Sequence, residues 1–177
     1  LGGLCGYNWY GTIINSYATS LVNGYSALGG LCGKNYYGTI NNCHATGSVT
    51  GEENNIGGLC GWNEFSTIDQ CYATGPIAGV NYVGGLCGYN IGTITSSYAT
   101  GQVAGTTNVG GLCGSNRGII INGYATGLVT GVSYLGGLCG YNGSTIINGY
   151  ATGSVTGANN LGGLCGYQSG DGAIIVN

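Results

Sequence analysis

Charge is what this sequence lacks most: of 177 residues seven are acidic or basic, and Lys34 and Arg117 are the only strong cations. Two cations cannot neutralise a run of phosphates or anionic headgroups, so nucleic acid and anionic membrane surfaces are excluded as natural partners. No apolar run approaches the roughly 18 residues of a membrane span, which argues against membrane insertion, and no charged segment followed by an apolar one opens the chain. Methionine is absent altogether and proline occurs once. The missing initiator methionine suggests a processed product or a fragment.

Catalytic parts are equally scarce. The five acids, Glu52, Glu53, Glu64, Asp69 and Asp171, form no visible cluster, and Arg117 is remote from all of them by repeat count. β-Helical enzymes acting on polysaccharides need clustered carboxylates or an arginine beside them. His44 has no partnered nucleophile. The chain therefore reads as a non-enzyme. No cofactor is expected either, because evenly spaced cysteines lack the convergent pairs that tetrahedral zinc needs, and no Asp follows the glycines as calcium repeats require.

What is present is a repeat. The block Leu1-Gly-Gly-Leu-Cys-Gly6 recurs from 28, 56, 83, 109, 135 and 161, giving six full copies and a partial seventh in a single domain spanning 1–177. Length varies in two places, after the Asn of Gly-Tyr-Asn and after Thr-Gly, which marks loops. The unit is rich in Gly, Thr, Tyr and Ile and has no 3.6-residue amphipathic stripe, so helix is excluded. Ser97 to Val103 alternates with the period of a half-buried strand. The fold expected is an all-β, right-handed parallel β-solenoid of about six and a half rungs, 26–28 residues each. Two or three short strands per rung would fit a coil of about 85 Å of chain, and the rod would be roughly 30 Å long.

Alternation assigns directions. Ala18, Ala45, Ala73, Ala99, Ala125 and Ala151 share parity with Val22, Val49, Ile77, Val103, Val129 and Val155, and both sets should point inward. Tyr17, His44, Tyr72, Tyr98, Tyr124 and Tyr150 then form an outward ladder whose rings could stack and serve as a contact surface. Asn8, Asn35, Asn63, Asn90, Asn116 and Asn142 occupy one turn position where amides can bond up and down the stack. Cys5, Cys32, Cys60, Cys87, Cys113, Cys139 and Cys165 should form a ladder, read first as buried thiols acting as small hydrophobes, with disulfides between rungs or chains as the alternative. Cys43 and Cys71 each lie 15 residues after their repeat start, so they should be stacked neighbours that either form a disulfide or remain two free thiols. The Gly-Gly-x-x-Gly pattern opens no helix and is assigned to turn formation.

Gly3-Leu4-Cys5-Gly6 and its six copies, together with the Tyr-Ala-Thr-Gly-x-Val block, resemble the GLUG-motif repeat, and the resemblance covers essentially the whole chain. It implies a β-solenoid stalk of an extracellular or cell-surface protein, as in adhesins and non-catalytic regions of IgA-cleaving metallopeptidases. The cysteine in every copy departs from the family, which often has another small apolar residue there.

These observations together point to a structural or adhesive element. The chain opens at a repeat start and stops half a rung on, at Ile174-Ile-Val-Asn177, and neither end supplies a polar cap, so joining of copies head to tail into a filament is the leading expectation. A stalk fragment of a larger adhesin is the alternative. Partners would be further copies of the chain, surface glycans or other cell-surface proteins. A reading of another class is ice binding through a row of Thr19, Thr46, Thr74, Thr100, Thr126 and Thr152, which the bulky ring two residues before each Thr disfavours. If the inward parity is right, Ala99→Asp should cost about 3–5 kcal/mol, because a carboxylate between Ala73 and Ala125 would have no cationic partner. Chemical denaturation measures this, and unchanged stability would mean that the parity is inverted.

Overall fold

The computed structural model describes residues 1–170 and 172–177; Asp171, one of the five acids, lies outside them. Among the described residues there is no helix, and the strands join into five parallel sheets, two with seven strands and three with six. This is a parallel β-solenoid. A central rung carries five strands: Asn81–Gly84, Cys87–Asn90, Thr93–Thr95, Tyr98–Ala99 and Val103–Ala104. Five is more than the two or three expected, because several strands are only two residues long and close turns separate them. Such short strands are legible only from the rungs above and below.

Register is strict. Cys60, Cys87 and Cys113 pair in succession, as do Ala73, Ala99 and Ala125. The insertions fall where the sequence placed them. Asn63 pairs with Asn90 at an offset of 27, whereas Thr67 pairs with Thr93 at 26, so the extra residue lies between Asn and Thr. The second is absorbed between Gly51, which pairs with Gly24, and Ile56, which pairs with Leu28. Two corners take left-handed backbone in every full rung. At one stand Asn15, Asn42, Gln70, Ser96, Asn122 and Asn148, and at the other Ala27, Asn55, Tyr82, Asn108, Tyr134 and Asn160. Asn tolerates that region better than most residues, which accounts for its frequency at both corners.

The interior is divided. Ala45, Ala73 and Ala99 belong to a large apolar cluster with a row of leucines, Leu31 to Leu138, and a row of isoleucines, Ile40 to Ile146. Val49, Ile77 and Val103 belong to a second cluster with Leu28, Ile56 and Val83. The Ala and Val rows thus both point inward, as parity required. Each fully buried Leu or Ile contributes on the order of 1.5–3 kcal/mol. Between the clusters runs the Gly-Gly-Leu-Cys-Gly segment, of which Val83 to Gly88 is buried at six consecutive residues. Val83 faces one cluster, and Leu86 and Cys87 face the other.

That segment corrects the assignment of its glycines to turn formation. Among the described residues the glycines with positive φ are Gly170 and Gly172, both outside the repeated block. The block's glycines take ordinary φ and are needed for close approach. A Cβ on Gly85 would overlap the Gly111 carbonyl and meet the Ala99 methyl at 2.9 Å, and one on Gly88 would lie 2.5 Å from the Ile56 amide nitrogen and 2.7 Å from the Gly61 carbonyl of the preceding rung. Gly6, at the same repeat position with no rung beneath, has open space around its Cβ site. Gly88→Ala should therefore lose about 3 kcal/mol or more, while Gly6→Ala stays within about 0.5 kcal/mol of the parent. Denaturant midpoints of the two variants make the comparison, and equal losses would contradict the close-approach account.

Candidate functional site

The asparagine ladder is continuous, and it is internal. Asn8, Asn35, Asn63, Asn90, Asn116 and Asn142 are buried at strand ends, where the sequence reading placed them in a turn. Each Nδ2 donates to the Oδ1 of the next rung at 2.8–3.0 Å, from Asn8 to Asn35 and on to Asn142. The same amides also donate to a carbonyl two or three residues on, as Asn63 does to Ser66 at 3.1 Å. Buried amides are tolerated when their hydrogen bonds are met, and here the stack itself meets them. This ladder holds the rod together and offers nothing to a ligand.

The seven repeat cysteines form one row, and among the described residues all nine cysteines are free. The inner thiols donate to the carbonyl two residues on, from Cys32 to Lys34 at 3.2 Å and from Cys139 to Tyr141 at 3.0 Å. Alternation breaks between Cys and the Asn three residues later, since both are buried. The thiol adds a donor to an intervening carbonyl while still packing as a small apolar group, which an alanine would not. Burial pushes the Cys60 and Cys113 thiols well above the usual thiol range and Cys165 to about 12.

Cys43 and Cys71 are neighbours in the stack. The Cys43 amide donates to Cys71 Sγ at 3.4 Å, and the Cys71 amide to Ser97 Oγ at 3.0 Å. In turn Cys43, Cys71 and Ser97 donate to the carbonyls of Asn41, Asp69 and Thr95, two residues before each. The two cysteines therefore do what serine does at Ser97, bridging adjacent rungs where a backbone bond is missing. Burial raises Cys71 to about 12.

The outer surface carries the remaining candidates. Rings of Tyr17, His44, Tyr72, Tyr98, Tyr124 and Tyr150 stack with centroids 4.7–5.2 Å apart and planes within 7°. The middle four are half-buried by one another, so the strip is less exposed than the sequence suggested. The six threonines of the proposed ice-binding row are exposed beside it.

A second aromatic surface escaped the sequence reading. Trp62, Tyr89, Ser115, Tyr141 and Tyr167 form an outward row with Tyr7 and Lys34. Lys34 Nζ sits 3.9 Å from the Trp62 ring centroid and 2.7 Å from Glu64 Oε2. The signal was available: Lys34 and Glu64 lie 30 residues apart, one 28-residue rung plus two, which brings them together on the same face.

Because the inner thiols are buried, iodoacetamide at about pH 8 should label Cys5 and Cys165 first and leave the other seven intact until the chain unfolds. Mass spectrometry reads the sites, and even labelling of all nine would contradict the burial. The sign for pH follows. The folded Cys71 and Cys165 thiols titrate higher than the ordinary value near 8.5, so their contribution is complete below that pH. It is lost as pH rises toward about 12, the unfolded chain releasing protons that the folded chain retains. Thermal midpoints should fall across that window.

The family model of the GLUG motif matches residues 1–23, 24–50, 52–78, 79–104 and 131–156. No curated protein and no solved structure matches the chain.

Proposed function

The chain belongs to the GLUG-motif repeat family, and from that premise we propose that it serves as a non-catalytic, extracellular adhesive rod that joins further copies of itself end to end and makes lateral contacts through its aromatic surface. The observation that carries this reading is the six-ring stack along a chain with seven charges. A continuous apolar strip with almost no like charge to repel a neighbour is suited to association with a second rod or to stacking against sugar rings.

Longitudinal joining would bury apolar surface. Leu1 and Leu4 are 62% and 52% exposed, and Leu161 is 46% exposed, whereas Leu28, Leu31 and Leu135 are fully buried. A further rung, from a second copy or from continuing chain, would cover these side chains and pair the open strand edges of all five sheets.

Changing Tyr98, Tyr124 and Tyr150 together to Ser tests the lateral role. Bundling seen by electron microscopy and retention on glycan-coated surfaces are compared with the parent at matched folded content. A fall of about tenfold in association is expected if the strip is the contact surface. Undiminished association by a folded variant would mean that the stack is only internal reinforcement and that contact lies on another face.

A further inference from the structure

One rung interrupts an outward aromatic row. In the outward strand row Ser115 stands between its register partners Tyr89 and Tyr141. At the left-handed corner beside it, Asn108 stands between Tyr82 and Tyr134, all three with φ of 52–56°. With no ring at either position, a cavity of about 200 Å³ opens with Tyr82, Tyr134, Tyr141 and Tyr167 as walls and Asn108, Ser115 and Arg117 as its polar lining. Arg117, one of the chain's two strong cations, lies with its guanidinium 5.5 Å from the Tyr141 ring centroid. Tyr167 packs on Tyr134 and Tyr141 at 5.1 and 5.8 Å, which fixes the upper wall.

Ser115 is 1% exposed, and its hydroxyl has no hydrogen-bond partner among the described residues. A buried hydroxyl without a partner is unfavourable, and a tyrosine there, as in the adjacent rungs, would have filled the gap. The walls present aromatic faces and edges, suited to the C–H faces of a sugar ring. Asn108 and Ser115 offer neutral donors and acceptors for ring hydroxyls, and Arg117 offers a fork that matches a carboxylate. Among the described residues no carboxylate lines the cavity. Its volume is below the roughly 300–1,000 Å³ of sites that take drug-sized ligands, which limits the occupant to about one ring. We propose that this socket binds a single carboxylated sugar residue of a glycan, of the uronic-acid type. The inference rests on the adhesive reading above and names its ligand, but it stands apart from the Tyr98 stack and from end-to-end joining.

The test titrates the protein with glucuronate and with glucose, followed by NMR of the tyrosine rings. The parent should bind glucuronate about fivefold more tightly than glucose, the scale of an exposed charge pair. Arg117→Gln should bring the two sugars level while the exposed site leaves folding intact. Ser115→Tyr, which restores the ring found in the adjacent rungs, should abolish saturable binding of both, with folding checked by circular dichroism. Absence of saturable binding by the parent would overturn the proposal, as would parent-like binding by Ser115→Tyr or equal affinity for the two sugars. Glucuronate binding by rods that neither bundle nor adhere would leave the socket standing and remove the adhesive reading. Adhesion without any sugar binding would do the reverse.

Discussion

In each rung the Gly-Gly-Leu-Cys-Gly segment runs through the interior so close to the neighbouring rung that only hydrogen fits at several Cα positions. Main chain packs on main chain there, with Leu and Cys facing the large cluster and the first residue of each block facing the small one. Any slip of one rung against the next would drive a side chain into a carbonyl. Tight packing of this kind has few alternative arrangements, and it fixes the register on which every ladder depends.

Once register is fixed, like meets like along the rod and the chemistry of each row is decided together. Asparagine is suited to an internal row because its amide both donates and accepts, so a stack satisfies itself without water or charge. Cysteine suits the adjacent row because it is apolar enough for the core and still covers an inward carbonyl. Aromatic rings suit an outward row at a spacing near 5 Å, where parallel stacking is favourable. Charge would be poorly placed in any of these rows, since identical charges would repel at every rung. That is a physical reason for a composition with seven charged residues, and the close Lys34 and Glu64 pair shows the exception, opposite signs on consecutive rungs.

Much of this was legible in the sequence because a repeat is read six times over. The solenoid, the two insertion points, the inward Ala and Val rows, the outward Tyr row and the cysteine row all follow from period and parity. Other features were not. The five short strands escaped because two-residue strands such as Tyr98–Ala99 carry no local signature. The role of the glycines was misread because close approach and left-handed turns both demand glycine, and a sequence does not separate them. The Asn row was read as bonding up and down the stack but was placed in a turn, because the partners that permit its burial lie 26–28 residues away. Ser115 and Asn108 escaped as well, since a position's meaning there comes from what the adjacent rungs carry and not from the residue itself.

The GLUG repeat, the parallel solenoid and the interlocked rows describe a structural repeat protein whose stability passes from rung to neighbouring rung. Hydrogen exchange resolved by peptide mass spectrometry tests that account most directly. Protection should be organised by rung, highest for all five strands of each rung between about residues 84 and 134 and declining toward both ends, with the Tyr98–Ala99 strand as protected as Cys87–Asn90 beside it. Protection organised instead by strand type, with the Gly-Leu-Cys segments slow and the Tyr-Ala segments fast in every rung, would contradict it.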